Sequence, residues 1–439
     1  MPMLGLGPTY IFNSHFLFKS LRMKEKPMSK RLLIVFVLGF SSGLPLALIS
    51  STLQAWFSDT GLSVVMTGML SLAGLPYVFC TVLSPFLDRY TLLPFGKRRS
   101  WIGLMQVLLL IGFNLMAWLS PLDSPKLMAF FAFMLAFCSA TQDMAINAHR
   151  IEYLSFREHG LGASIGVIGY RLGLLVAGGL ALIVAQFAGW AFAYRLMGLF
   201  MLPGLVAIYL SPEPSKPLRQ YSPFSASFVE PVRELLSRPH IGFLFLFVFF
   251  YKLGEAFTTT TSGIMMPFLI QALHFSLDTI AYVNKIIGVV SILAGGIFAG
   301  IILKYCSLYR ALIGFGLLQA ITNLLFVLLA TVGHDLTVFI LAVVSDNFAA
   351  GMGSIALVAL FMRLVDNRFT ATQFSILVAF STLPRVFSGP MASYLQSWFG
   401  WVGLYQITFV LSLGFIPFLT KIRRQCAVMI DPVRVLSVD

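Results

Sequence analysis

Seven ionisable side chains lie within long apolar stretches of this 439-residue chain: Asp143, Arg171, Lys252, Glu255, Lys285, Asp346 and Arg385. A charge at the centre of a bilayer costs at least about 2.5 kcal/mol, so such groups usually face one another or an aqueous pathway. Four of the seven are cations and three are acids. This balance suits the binding of an anion, or a proton site that is flanked by cations.

The acids are the candidates for proton coupling. Burial in a medium of low dielectric constant favours a neutral carboxyl group, whereas a nearby cation favours the carboxylate. We expect Asp143 to carry the proton, with Arg171 as the cation whose separation from it changes during transport, and we add Glu255 and Asp346 to this group. The alternative for Asp143 is a buried salt bridge with Arg171 that only joins two helices.

The cations are the candidates for binding an anionic substrate. Arginine binds a carboxylate through two parallel hydrogen bonds, whereas lysine acts as a point charge. We assign Arg385 and Lys285 to substrate carboxylates, and Gln54, Tyr170 and Asn284 to neutral groups of the substrate. Lys252 lies three residues before Glu255 and therefore on the same helical face, so it either binds substrate or neutralises that acid.

A charged turn follows the second apolar stretch and contains Asp88, Arg89, Arg98 and Arg99. These residues lie at the edge of the membrane rather than inside it. We interpret them as a gating latch between two halves of the protein, in preference to a substrate site.

The elements that position these residues are helices. Hydrophobic residues make up 58% of the chain and charged residues 11%, which excludes a soluble domain, where charged residues make up about 25%. The apolar runs are long and do not alternate, which excludes a β-barrel. At about 20 apolar residues for each span, the sequence predicts twelve transmembrane helices: 32–57, 64–87, 100–119, 127–148, 161–187, 190–210, 241–271, 279–303, 311–330, 337–362, 371–396 and 401–420.

A polar segment rich in proline and serine, 211–239, divides the twelve spans into two sets of six. Asp143 and Arg171 in the first set are matched by Asp346 and Arg385 in the second, which indicates a duplicated unit of the kind found in transporters. The predicted organisation is a tail, a six-helix bundle, a linker, a second six-helix bundle and a tail: 1–31, 32–210, 211–239, 240–420 and 421–439.

The distribution of lysine and arginine gives the orientation. Of the 30 basic residues, 24 lie in the tails and in the loops on the same side as the tails. Only Lys126 and Arg195 lie in the loops of the opposite side. By the positive-inside rule, both termini and the linker are cytoplasmic. The net charge of +13 therefore reflects topology, and we expect no nucleic-acid partner.

Several strings resemble the AmpG-type muropeptide permeases of the major facilitator superfamily and their acetyl-CoA-transporting relatives. They are GFSSGLPLAL (39–48), SPFLDRYTLLPFGKRRSW (84–101), FCSATQD (137–143), GYRLGLLVAGGLAL (169–182), YKLGEAF (251–257), VNKIIG (283–288) and TATQFSILVAFSTLPRV (370–386). The resemblance implies a major facilitator fold of two six-helix bundles and a role in substrate binding for Gln142, which lies beside Asp143. Asp346 and Asn147 depart from it, since relatives usually carry glutamate at the first position and an acid at the second.

The resemblance implies a proton-coupled importer of anhydro-muropeptides, that is GlcNAc-anhydroMurNAc with or without peptide. Such a protein would work as a monomer in the bacterial inner membrane, in cell-wall recycling and β-lactamase induction. The alternative within the same fold is a transporter of acetyl-CoA or another organic anion. No nucleotide-binding G-x-x-x-x-G-K-[ST] motif occurs, so the driving force is expected to be the proton gradient.

Two interpretations from other classes remain open. A membrane enzyme acting on lipid-linked sugars would need a group such as His149, Glu152, Glu158 and His159, which we interpret as a solvated cytoplasmic loop. A sensor that no longer transports would keep the binding residues. The four cysteines and six histidines show no spacing typical of metal ligands, so we expect no metal and no cofactor.

Overall fold

The structure, a computed structural model, describes residues 28–79, 87, 90–92, 94, 96–154, 158–212, 229–259, 262–366 and 370–425. Within these residues every regular element is a helix. Asp88 and Arg89, both predicted to contribute to the latch, lie outside the described residues.

Six helical segments form the N-terminal half. They are α1 Met28–Asp59, α2 Val64–Phe79, α3 Lys97–Met116, α4 Pro125–Tyr153, α5 Leu161–Ala188 and α6 Trp190–Leu210. Proline begins α4, where its missing N–H would have no intrahelical acceptor in any case. Gly189, whose φ is 83°, separates α5 from α6 because a residue with a Cβ rarely adopts that conformation.

The C-terminal half begins after a short helix inside the predicted linker, α7 Glu230–Ser237. The helices that follow are α8 Ile241–Ala256, α9 Leu277–Tyr305, α10 Leu308–Val332, α11 Leu336–Leu364, α12 Thr370–Ser412 and α13 Phe415–Gln425. Gly400 turns α12 with a φ of 68°. A tryptophan follows Gly400, as one follows Gly189, so the same turn recurs in both halves.

The number of spans in the described residues depends on how short and bent helices are counted. Nine of the described helices are long and apolar enough to cross a bilayer, and α7 with α8 would form a tenth, broken by a bend of 95°. Helical segments lie within all twelve predicted ranges, but α2 is short and α12 contains most of the last two. The all-helical membrane fold is confirmed, whereas the number twelve and the domain limits stay predictions.

Closely packed glycines join helices within each half. A Cβ added to Gly43 of α1 would lie 2.1 Å from the Tyr170 carbonyl oxygen of α5. A Cβ added to Gly295 of α9 would lie 2.0 Å from the Phe348 carbonyl oxygen of α11. Small residues allow such close backbone contact between membrane helices, so these pairs fix how each half is assembled.

Gly295→Ala is therefore expected to lower the thermal stability of the purified protein, by about 1–3 kcal/mol, because the new methyl group must push α9 and α11 apart. Gly300→Ala on the same helix is the matched control, since a Cβ there meets no atom within 4 Å. Thermal unfolding in detergent measures both variants. Equal melting temperatures for the two would contradict the packing argument.

The two halves contact each other on the side opposite to residue 28. Gln271 Nε2 donates to the carbonyl oxygens of Ser58 and Leu62, both at 2.9 Å. Ser71 Oγ of α2 donates to the Val386 carbonyl oxygen of α12 at 2.7 Å. On the side that carries residue 28, a cavity separates the halves instead.

Candidate functional site

The main cavity lies between the two halves and has a volume of about 530 Å³. Helices α1, α2, α4, α5 and α12 line it. Its polar lining includes Tyr77, Asp143, Asn147, Tyr170, Thr382 and Arg385. The volume lies in the range of about 300–1,000 Å³ that is usual for small-molecule sites. Three predicted residues, Asp143, Tyr170 and Arg385, therefore meet in one cavity.

Asp143 has a different set of neighbours from the one predicted. Its Oδ1 accepts a hydrogen bond from Ser42 Oγ of α1, and the cation that acts on it is Arg150. Arg171 is exposed on α5 and makes no ion pair with Asp143. The predicted Asp143–Arg171 contact is wrong, because consecutive residues of a helix point about 100° apart and Tyr170 occupies the direction toward the cavity.

The two glutamines lie in helix packing rather than in the cavity. Gln142 is fully buried, and its Nε2 donates to the Ser41 carbonyl oxygen of α1 at 2.8 Å. Gln54 is also fully buried. Neither side chain lines the main cavity, so their predicted contact with substrate is not found in this conformation.

Lys285 and Asn284 lie where the halves close. Lys285 Nζ of α9 donates to Ser51 Oγ of α1 at 3.0 Å, so the ammonium group bridges the halves. A Cβ on Gly178 of α5 would lie 3.0 Å from Lys285 Cε, which shows that a glycine makes room for this side chain. Asn284 is buried beside it, with 8% of its surface exposed. Both predicted substrate residues therefore lie away from the lining of the main cavity.

Three π-helical turns meet at this lysine. They are Leu48–Thr52 in α1, Val176–Leu180 in α5 and Ala281–Ile287 in α9. Turns of this kind are rare in helices and are frequent at functional sites. Their position at the contact between the halves marks this level as the closed end of the main cavity.

Asp346 is buried in the C-terminal half, with 4% of its surface exposed. Its Oδ1 accepts hydrogen bonds from Gln319 Nε2 at 2.6 Å, Thr258 Oγ1 at 3.0 Å and Thr322 Oγ1 at 3.3 Å. Among the described residues no ion pair to it is found. Asp346 is thus separate from the main cavity, and its charge is met only by neutral donors.

Lys252 and Glu255 form the ion pair that their spacing predicts. Lys252 Nζ lies 2.7 Å from Glu255 Oε1 and also donates to Ser354 Oγ of α11 at 3.0 Å. Helix α8 ends one residue after Glu255, and the next described helix begins at Met265. The pair therefore lies at the last turn before a break in the helix.

Arg98 and Arg99 make their contacts within the N-terminal half. Arg98 Nη2 lies 2.6 Å from Glu152 Oε1 of α4, and Arg99 Nη2 donates to the Tyr209 carbonyl oxygen of α6 at 2.8 Å. Between described residues, a direct latch from these arginines to the other half is not found. Their gating role stays a prediction, and it would act through the ends of α3, α4 and α6.

The residues named for a membrane enzyme do not form one site. His149 is fully buried, with Nε2 2.9 Å from Ser211 Oγ, so its interpretation as a solvated loop residue is wrong. Glu152 pairs with Arg98, and Glu158 pairs with Arg31 at 2.8 Å. The side chain of His159 lies outside the described part of the chain. Each described member of the group thus has a structural partner.

Sequence reasoning missed two residues of the site, Asn147 and Arg150. The predicted span ends at residue 148, but α4 continues to Tyr153. Asn147 and Arg150 lie four and seven residues after Asp143, on the same helical face. Extending the helical periodicity of Asp143 by two turns would have identified both.

Comparisons with known proteins give the same architecture. The family model of the Major Facilitator Superfamily matches residues 35–383. Solved structures with this fold include a D-xylose–proton symporter, with a TM-score of 0.69 and 18% identity over 90% of this chain and 97% of that one. A bacterial homologue of the human lysosomal transporter Spinster, in an inward-facing and unoccupied conformation, has a TM-score of 0.66 and 17% identity over 90% of this chain and 96% of that one.

Curated relatives are more similar in sequence. The anhydromuropeptide permease of Escherichia coli K12 is 40% identical over 88% of this chain and 77% of its own length. An uncharacterised protein of Haemophilus influenzae is 35% identical over 88% of this chain and 92% of its own length. The putative transporter AmpG 3 of Rickettsia typhi is 28% identical over 89% of this chain and 96% of its own length.

Proposed function

Because the chain belongs to the major facilitator superfamily and, within it, to the AmpG-type permeases, we propose that it imports anhydro-muropeptides together with protons. It is a multi-pass membrane transporter and not an enzyme. The substrate of the E. coli relative supports the muropeptide assignment. The observation that carries the proposal is the cavity between the halves, which places the acid Asp143 and the cation Arg385 on one lining.

The conformation of the protein fits one step of alternating access. The halves are in contact around Lys285 and Gln271, on the side opposite to residue 28, and the main cavity lies on the other side. If both termini are cytoplasmic, as the distribution of lysine and arginine predicts, this is an inward-facing state. Rocking of the two halves about the cavity would then expose it to the periplasm.

Arg385 and Asp143 would have different roles in the cavity. Arg385 would bind a substrate carboxylate through two hydrogen bonds. Asp143 would hold the proton. Its protonated carboxyl group carries no isolated charge while the cavity is closed to water. A proton that moves down a gradient of about 1.7 pH units gains about 2.3 kcal/mol, since one pH unit corresponds to about 1.36 kcal/mol. This corresponds to roughly 50-fold accumulation of substrate without ATP.

Asp346 and Glu255 stay in the proposed proton-coupling group, and Lys285 stays a candidate for the substrate in the opposite conformation. In that conformation the contact between Lys285 and Ser51 must break, and the ammonium group would then bind an anion. We place the protein as a monomer in the inner membrane, in cell-wall recycling and β-lactamase induction.

Counterflow in proteoliposomes tests the proposed function. Vesicles with the purified full-length protein are loaded with unlabelled muropeptide, and labelled muropeptide is added outside. A second set is loaded with unlabelled acetyl-CoA and receives labelled acetyl-CoA outside. We expect counterflow of muropeptide but not of acetyl-CoA. Net uptake of muropeptide should be faster when the vesicle exterior is acidic. Counterflow of acetyl-CoA without that of muropeptide would establish the alternative substrate, and binding without any counterflow would establish a sensor.

A further inference from the structure

A second, smaller cavity of about 200 Å³ adjoins the main one between α1, α4 and α5. We call it the side pocket. It shares the side chains of Asp143, Asn147 and Tyr170 with the main cavity. Its own lining adds His149 and Arg150 on α4. The two cavities therefore meet at these three side chains.

The charge of Arg150 is the unusual feature of the side pocket. The Nη2 of this guanidinium donates to Asn147 Oδ1 at 2.9 Å, and the group makes no ion pair with a described residue. Asp143 acts on it electrostatically but not through a direct ion pair. A guanidinium carries five N–H donors, so most of its donors remain available for a ligand.

The other arginines at this end of the N-terminal half differ from Arg150. Arg31 pairs with Glu158 and Arg98 with Glu152, at 2.8 and 2.6 Å. Arg99 donates to the carbonyl oxygens of Ile208 and Tyr209. These three therefore serve the packing of helix ends, whereas Arg150 faces a cavity.

Two further observations indicate a built site. A Cβ on Gly166 of α5 would lie 2.5 Å from Arg150 Nη1, so the guanidinium packs against α5 at a residue without a side chain. His149 is fully buried on the wall of the same pocket, and its Nδ1 has no hydrogen-bond partner. The pocket thus holds a positioned cation together with a neutral polar group that has unused hydrogen-bonding capacity.

We propose that the side pocket is a second binding subsite, in which Arg150 binds the C-terminal carboxylate of the peptide attached to a muropeptide. This inference rests on the proposed function. Arg385 in the main cavity and Arg150 in the side pocket provide two cations at separate places, which suits a ligand with anionic groups some distance apart. A disaccharide without peptide cannot present a carboxylate to both.

Binding to the purified full-length protein tests this subsite with three ligands at one pH. They are the disaccharide without peptide, the disaccharide with a tripeptide, and the same tripeptide ligand with a C-terminal amide. The wild type should bind the tripeptide acid more tightly than the amide. Arg150→Met should weaken binding of the acid about tenfold to a hundredfold, as expected for a lost hydrogen bond to a charged group, and should leave the other two ligands unchanged.

Two variants serve as controls. Arg150→Lys keeps the charge but not the paired hydrogen bonds, so it should retain part of the preference for the acid. Arg195→Met removes an arginine near the start of α6, whose Cζ lies 5.0 Å from the centre of the Trp118 ring. Arg195 is not part of the lining of the side pocket, so this variant should bind all three ligands as the wild type does.

The inference is overturned if Arg150→Met weakens all three ligands equally, or none of them, while its melting temperature matches that of the wild type. A variant that unfolds is replaced by Arg150→Lys, whose preference for acid over amide must then fall below that of the wild type. Failure of the proposed function has a different signature, because the wild type itself would bind none of the three muropeptides.

Discussion

Asp143→Asn is expected to abolish accumulation of muropeptide driven by a pH gradient, while counterflow continues at a similar rate. Asparagine has nearly the same shape, and its Oδ1 can still accept the hydrogen bond from Ser42. It cannot take up a proton, so substrate movement loses its coupling. With a gradient of about 1.7 pH units the lost coupling corresponds to roughly a 50-fold accumulation ratio, and the variant should only equilibrate its substrate across the vesicle membrane.

The measurement is uptake of labelled muropeptide into proteoliposomes, with and without an imposed pH gradient. Asp335→Asn is the matched control, because Asp335 caps helix α11 by accepting a hydrogen bond from the Val338 backbone N–H at 2.9 Å and asparagine caps equally well. Gradient-driven accumulation by Asp143→Asn at the level of wild type would remove Asp143 from the proton role. The same substitution at Asp346 would then become the decisive experiment.

Gly389→Val is expected to reduce transport at least about tenfold by preventing the halves from closing as they do here. Gly389 of α12 lies against α2 and the broken segment after α8. A Cβ on it would lie 2.3 Å from the Gly68 carbonyl oxygen and 2.5 Å from the Ser262 carbonyl oxygen. Overpacking of this kind costs about 1–3 kcal/mol, and every 1.4 kcal/mol shifts an equilibrium tenfold.

Gly389→Val should therefore favour the opposite conformation, in which the contact between Lys285 and Ser51 is broken. A cysteine is introduced at position 51 after the four native cysteines are replaced by serine. Its rate of labelling by a membrane-impermeant maleimide, compared with and without Gly389→Val, reports this opening, and uptake rates are measured alongside. Gly300→Val is the control, since a Cβ there meets no atom within 4 Å. Wild-type uptake by Gly389→Val, or unchanged labelling, would show that this contact does not control access.

The glycine and arginine variants test different parts of the mechanism. Gly389→Val changes the balance between conformations without touching the lining of the side pocket, whereas Arg150→Met changes one contact with substrate. Asp143 lines both cavities, but its substitution by asparagine is expected to remove only the proton carrier. For this reason the ligand series used for Arg150 is also informative for Asp143→Asn, in which the preference for the tripeptide acid should persist.

Sequence patterns predicted contacts correctly where the two residues are close along one helix. Lys252 and Glu255 are three residues apart and form an ion pair in the structure, because helical geometry alone brings them together. The apolar composition likewise determined the membrane class, since a bilayer requires long helical runs.

Contacts between distant helices could not be predicted in the same way. The partner of Asp143 was expected on α5, at Arg171, but is Ser42 of α1. Gln142 was expected in the substrate site but donates to Ser41 in helix packing. Arg98 was expected to reach the other half but pairs with Glu152. In each case the sequence did not determine the direction of the side chain.

The sequence by itself determined that this is a helical membrane protein with acids and cations inside its apolar stretches. Only the tertiary structure decided that Asp143 and Arg385 share a cavity, that Lys285 joins the closed ends of the halves, and that Arg150 faces a side pocket. The physical reason is that lipid-facing and buried surfaces of a membrane helix are similarly apolar. Composition therefore gives the position of a helix in the bilayer but not its rotation, and rotation decides which side chains meet.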